Sequence, residues 1–223
     1  MSLIIATPTR IALKAGMLVV AAKLGFMPVE VVIDPSVPIT ISAPTFAHWL
    51  GLAGRDGEQP VPRRADLEID HASFALRRVD IAPTGGTAKM IVGADILRQA
   101  IIEVDLAHGR LHMLDRRAAR SRERSMVRVD TQWDLDGCLL LLGAMKGGRA
   151  VRAAMSGGLG DKDAGEKALV AVTGLRLSMA NHLDRCRDSD VVAGWSSFEG
   201  RTLVFDLGND RLWVSRAAAD MRG

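Results

Sequence analysis

The chain carries the same punctuation twice, and that repeat narrows its fold more than any other feature. The first copy reads Met90-Ile-Val-Gly-Ala-Asp-Ile-Leu-Arg-Gln-Ala-Ile-Ile-Glu-Val-Asp-Leu-Ala-His-Gly-Arg-Leu-His-Met113. The second reads Val191-Val-Ala-Gly-Trp-Ser-Ser-Phe-Glu-Gly-Arg-Thr-Leu-Val-Phe-Asp-Leu-Gly-Asn-Asp-Arg-Leu-Trp-Val214. Each runs apolar, apolar, Gly, a short helical turn, a strand ending in Asp-Leu, a tight turn, then Arg-Leu and a closing strand. Gly93 answers to Gly194, Asp105-Leu106 to Asp206-Leu207, and Arg110-Leu111 to Arg211-Leu212. Upstream, Glu30-Val-Val-Ile-Asp-Pro-Ser36 has its counterpart in the stretch from Arg149 to Gly158. A repeat of this length implies two similar lobes. The expected division is 1–118 and 119–223, with the charged stretch from Arg116 to Arg124 between the copies.

Both copies are built from strand signals. Arg10–Leu13, Met17–Val20, Val29–Ile33 and Val37–Ile41 carry β-branched residues bounded by Gly, Pro or charge. Asp66–Asp70 alternates as a half-buried strand should, and Ala75–Ile81 does so more loosely. Ile101–Leu106 and Arg110–Leu114 read as a hairpin. Helical turns are expected at Ala43–Leu50 and Gly93–Gln99. Gly54–Arg64 is polar, with Gly and Pro, and reads as a loop or hairpin tip. Lys146-Gly-Gly-Arg149 reads as a hairpin turn. The fold class is therefore all-β.

Composition excludes several classes. At 223 residues the chain is long enough for a substantial core. No segment approaches the roughly eighteen apolar residues of a membrane-spanning helix, so no membrane span is expected. Gly16–Ala22 is apolar and flanked by Lys14 and Lys23, but it lacks a cleavage signal and reads as mature structure. As written, the chain is expected in the cytoplasm; a removed leader would place it in the periplasm or outside the cell. Net charge is only +3. Its arginine-rich run reads as a solvated linker, and without interleaved aromatics no nucleic-acid partner is expected. Cys138 and Cys186 lack metal-ligand spacing; they read as two buried thiols, with one bridge open in an oxidising compartment. His48, His71, His108, His112 and His182 form no metal pattern, and nothing calls for a metal or cofactor.

The candidate chemistry lies at Val31-Val-Ile-Asp34-Pro-Ser36, where an apolar strand runs into one carboxylate. With Ile39-Thr-Ile41, Leu50-Gly-Leu52 and Ile91-Val-Gly-Ala-Asp-Ile-Leu97, it resembles the retropepsin-like and pepsin-like aspartic peptidases, in the manner of a two-lobed bacterial member with degenerate motifs. The resemblance implies two acid-protease-like β-barrel lobes related by a pseudo-twofold, each bringing one Asp to the axis. There the carboxylates share a proton and activate a water against a peptide bond. It also implies a hydroxyl residue and a Gly after each Asp.

This chain departs from that pattern. Pro35 stands where the hydroxyl is expected and Ser36 where the Gly is expected. In the second lobe the alignment places Met155-Ser156-Gly157 on the motif, with Met155 at the carboxylate position. Asp163, in Asp163-Ala-Gly165, is the alternative partner for Asp34. Three readings follow. One is a peptide-binding homologue with an incomplete dyad, a pseudoenzyme with little or no hydrolysis. Another is an active endopeptidase using Asp34 with Asp163, or with Asp34 of a second chain in a dimer. The third is a non-enzymatic interaction or assembly domain. Asp34 also has a bland account, as a turn residue ahead of Pro35.

Overall fold

The computed structural model describes residues 8–49, 66–84, 88–145, 148, 150–156, 168–172, 175–181 and 189–216. The first lobe opens with β1 (Thr9–Lys14), β2 (Met17–Leu24), β3 (Met27–Ile33) and β4 (Ile41–Ser42), followed by the short helix α1 (Pro44–Trp49). It continues through β5 (Asp66–Ile69), β6 (Ala72–Ala75), β7 (Asp80–Ile81), β8 (Met90–Val92), helix α2 (Ala94–Leu97), β9 (Ile101–Asp105) and β10 (Arg110–Leu114). Helix α3 (Arg116–Glu123) leads into the second lobe. That lobe holds β11 (Val127–Val129), β12 (Thr131–Trp133), β13 (Leu139–Met145), β14 (Ala150–Met155), β15 (Ala168–Val172), β16 (Leu175–Asn181) and β17 (Val191–Ala193). A 3-10 turn at Trp195–Phe198 precedes β18 (Thr202–Asp206) and β19 (Arg211–Val214).

The expected hairpin is β9–β10, with Arg110 opposite Asp105 and Gly109 at φ +63° in its turn. Its counterpart β18–β19 sets Arg211 opposite Asp206. Superposing Asp105 on Asp206 therefore also superposes Arg110 on Arg211, as the repeat requires. The two hairpins join through an antiparallel β9–β18 ladder that pairs Glu103 with Val204, its own counterpart. The pseudo-twofold passes through that pair. The resulting sheet runs β11-β19-β18-β9-β10-β1 and continues into the first lobe through β2, β3 and β8.

One face of the joining sheet feeds a core common to both lobes. Ile102, Val104 and Leu111 pack there with Leu203, Phe205, Leu212 and Val214, all buried. The other face is covered by α3, which the sequence had suggested was a solvated linker. Asp115 caps the helix by accepting from Ala118 N at 2.7 Å. Ala119 is buried, and Arg122 Nε lies 2.8 Å from Oε2 of buried Glu103. That contact is an ion pair off the line of a hydrogen bond. The boundary expected at 118/119 falls inside this helix.

Residues 37–40 are not the strand that their β-branched composition suggests. Pro38 offers no N–H to a ladder. The carbonyls of Val37 and Pro38 accept from Ala94 N and Asp95 N instead, at 2.7 and 3.2 Å. Likewise the strand expected over 75–81 is split between the ends of β6 and β7. The expected loop at 54–64 lies outside the described residues.

Arg122→Ala is expected to lower stability by about 1–3 kcal/mol, because it leaves the buried Glu103 carboxylate without its cation. Glu103→Gln in the same background should recover part of that loss. Chemical denaturation of the single and double variants measures both; equal stability of Arg122→Ala and the parent chain would show that the ion pair contributes nothing.

Candidate functional site

The end of β3 is held between neighbours on both sides. Val32 and Ile33 pair in parallel with Ile91 and Val92 of β8, and the ladder extends to a bond from Asp34 N to Val92 O at 3.0 Å. Asp34 is 2% exposed. Its Oδ1 accepts from Ser36 N at 2.9 Å and from Ser36 Oγ at 2.6 Å, and Val37 N donates to its carbonyl at 3.2 Å. Pro35 is the corner of this turn. The hydroxyl that Pro35 cannot supply is thus present one residue later, and it grips the carboxylate of its own loop.

The second lobe repeats the arrangement with different chemistry. Ala154 and Met155 of β14 pair in parallel with Val192 and Ala193 of β17, and Ser156 N donates to Ala193 O at 3.0 Å. Asp34 N donates to the residue before Gly93; Ser156 N donates to the residue before Gly194. Ser156, not Met155, therefore occupies the position of Asp34, and the sequence alignment was displaced by one residue. Met155 answers to Ile33, and its fully buried side chain belongs to the core. Ser156 is 6% exposed. Gly157 and Asp163 lie outside the described residues.

Both glycines start a helical turn straight from a buried strand, with extended backbone at φ −93° for Gly93 and −77° for Gly194. A Cβ on Gly93 would stand 2.5 Å from Val37 O and 3.0 Å from the Ile39 carbonyl carbon. Glycine lets α2 approach the Asp34 loop closely enough for the Ala94–Val37 bond to form.

Asp95, which the sequence reading quoted but gave no role, completes this clamp. Its Oδ1 accepts from Thr40 N at 2.9 Å and Thr40 Oγ1 at 2.8 Å, while Gly93 N donates to Thr40 Oγ1 at 3.2 Å. Burial pushes the Asp95 carboxyl above the usual carboxylate range; the Thr40 bonds oppose that without cancelling it. The available signal was its place two residues after a glycine that opens a helical turn.

Trp195 and Cys138 of the second lobe both reach the Asp34 loop. Trp195, fully buried, donates its indole N–H to Ile33 O at 3.2 Å. Cys138 Sγ lies 3.5 Å from Ser36 O. Cys138 is buried as expected, but it is disulfide-bonded and not a thiol, so this is a packing contact without a donated hydrogen. Cys186, the other cysteine, lies outside the described residues. Gly137, next to Cys138 in the chain, faces Pro38 so closely that a Cβ would be 2.8 Å from Pro38 Cβ. Among the described residues no cluster of three or more ligating side chains is placed to hold a metal. No described helix is long and apolar enough to cross a membrane.

No protein-family model matches the chain, and no curated protein matches it. Solved structures do. Basic 7S globulin from soybean aligns with a TM-score of 0.54 at 10% identity, over 97% of this chain and 95% of its own. The retroviral protease-like domain of Ddi1 from Leishmania major aligns at 15% identity with a TM-score of 0.31, over 45% of this chain and 93% of that domain.

Two variants probe the clamp. Gly93→Val should destabilise by about 1–3 kcal/mol through the clash with the Val37 carbonyl; an unchanged melting temperature would contradict the close approach. Asp95→Asn keeps the acceptor for Thr40 and removes a charge that burial disfavours. The raised carboxyl contributes stability that is full below the ordinary carboxylate pKa and is lost as pH rises through the folded value. The variant should therefore gain stability over the parent chain at neutral pH, with the gain vanishing near pH 3; a gain independent of pH would contradict it. With these contacts placed, the fold is all-β and aspartic-protease-like, with two lobes related by a pseudo-twofold.

Proposed function

We propose that the protein binds an extended peptide or protein segment in the groove between its lobes and does not hydrolyse it. The observation that carries this reading is Ser156 at the position that answers to Asp34. Peptide hydrolysis by an acid-protease pair needs one carboxylate as base on the water and a second to protonate the carbonyl oxygen, with a proton shared between them. A serine hydroxyl at that position does neither at ordinary pH. Asp34 is further satisfied from within its own turn by two Ser36 donors, so its Oδ1 is already engaged.

A bilobal β fold remains well suited to holding a peptide. Strand edges along a groove take an extended chain by main-chain hydrogen bonds, and side-chain pockets select the sequence. An endopeptidase through Asp34 and Asp163, or through two Asp34 residues in a dimer, would need a carboxylate from outside the second-lobe strand end, where Ser156 stands.

A peptide-library incubation from pH 3 to 7 tests the reading. Mass spectrometry should find no cleavage, while fluorescence polarisation should identify bound peptides. Cleavage that is blocked by a statine-type peptide and lost in Asp34→Asn would overturn it and favour the peptidase. Ser156→Asp adds a direct check of the pairing. Two facing carboxylates raise one another's upper pKa, so this variant should match the parent at pH 3 and lose stability toward pH 7. The loss should be about 1.4 kcal/mol for each unit that the upper value is raised. No pH-dependent loss would mean that Ser156 does not face Asp34.

A further inference from the structure

The outer face of the joining sheet carries a set of arginines that form no ion pair among the described residues. Register places Arg10 and Arg110 directly opposite one another on β1 and β10. Like charges so placed destabilise a sheet. Strand alternation puts both on the face of Glu103, together with Arg211, the symmetry counterpart of Arg110, and Arg128, which pairs with Trp213. Helix α3 lies on the same face and adds Arg116, Arg117, Arg120 and Arg124. All of these side chains are exposed, and none has an ion-pair partner among the described residues.

Asp105 and Asp206 stand opposite Arg110 and Arg211 on this face, but their carboxylates are hydrogen-bonded within their own turns. Glu103 is held by Arg122. Asp105 accepts from Ala107 N, His108 N and His108 Nδ1; Asp206 accepts from Asn209 Nδ2; Asp115 caps α3; Asp210 accepts from Trp133 Nε1 at 2.6 Å. Glu123 is the one acid that α3 itself contributes.

We infer that this arginine face docks the protein on a surface of anionic lipid headgroups. Three features favour a headgroup plane over nucleic acid. The array is two-dimensional: the joining sheet has six strands, roughly 24 Å across at sheet spacing. The charge is spread from β1 to β11 and is not gathered along a groove. Trp213, which lies on this face, is buried and offers no stacking surface. Clustered Arg on a surface helix is attracted to anionic lipid.

The docked orientation follows from the layering. Val204 and Glu103 face α3; Phe205, next along β18, faces the core. Phe205 meets Trp195 edge to face at 5.9 Å, and Trp195 bonds to the carbonyl preceding Asp34. The Asp34 loop thus lies on the opposite side of the sheet from the arginines. A docked molecule would present the candidate site to the aqueous phase. This surface is independent of the peptide-binding reading, and either can fail alone.

Vesicle co-sedimentation tests it with the full chain, using phosphatidylcholine vesicles with and without phosphatidylglycerol. Binding is expected only with phosphatidylglycerol at about 0.1 M salt, and should fall steeply as salt is raised and the charges are screened. Arg117→Gln/Arg120→Gln/Arg124→Gln should weaken binding on the order of a hundredfold, about fivefold per arginine. Arg10→Gln/Arg110→Gln should weaken it too, while removing the like-charge pair. Arg122 is left in place because it holds Glu103. Circular dichroism confirms that each variant is folded. Equal sedimentation with neutral vesicles, no sedimentation with either, or unchanged binding by both folded variants would overturn the inference. Displacement from the vesicles by equimolar single-stranded or duplex DNA would overturn it in favour of a nucleic-acid surface.

Discussion

The antiparallel pairing of β9 with β18 is the interaction on which the rest of this structure depends. It turns two lobes into one hydrophobic body, since the strands that carry Ile102 and Val104 and those that carry Leu203 and Phe205 contribute to the same buried cluster. Neither hairpin alone would bury much apolar area, and isolated two-stranded ribbons are marginal in water. Because Glu103 meets its own counterpart Val204, the ladder also fixes where the two lobes face one another. It leaves a buried carboxylate at the centre of the joint, which makes α3 and Arg122 part of the fold and not merely a connector.

A second constraint acts where each lobe closes on itself. A parallel strand pair is buried from both sides, and its end must release the chain into a turn while the neighbouring strand starts a helix. Backbone can approach backbone this closely at Gly93 only because no Cβ is present. Ala94 N, Asp95 N and the Thr40–Asp95 bonds then lock residues 37–40 against α2. Asp34 sits at the near end of that locked segment. Its backbone position is set by the strand pairing and packing around it.

Much of this was legible in the sequence, for physical reasons. The hairpins were plain because Asp-Leu and Arg-Leu flank tight turns at matching spacing, and the glycines because they interrupt apolar runs at matching places. The displaced alignment has an equally physical origin. Strand register is read from alternation of buried and exposed residues. At the end of β14 Ala153, Ala154 and Met155 are all buried, as expected where a strand is covered on both faces, so the pattern carries no phase there. The backbone bond from Ser156 to Ala193 supplies the phase that side chains could not. The misread strand at 37–40 failed differently: its composition favours β structure, but Pro38 and the demands of α2 take its backbone groups out of any ladder. The role of Asp95 and the bonded state of Cys138 depend on contacts across the sequence that no local pattern encodes.

The chemistry of the two loops explains how such a site remains stable. Two buried carboxylates on one axis repel unless a proton is shared between them. In this chain the position that answers to Asp34 holds Ser156, which carries no charge, and Oδ1 of Asp34 accepts from Ser36 within two residues of itself. The hydroxyl grip of Ser36 is local to its turn. Two contacts that reach from the second lobe to the Asp34 loop are of another kind: an indole N–H on the Ile33 carbonyl and a disulfide sulfur packed on the Ser36 carbonyl. Both grasp main-chain oxygens, neither carries charge, and both are buried. Contacts of this kind do not titrate, so they hold the second lobe against the Asp34 loop at every pH where the fold survives.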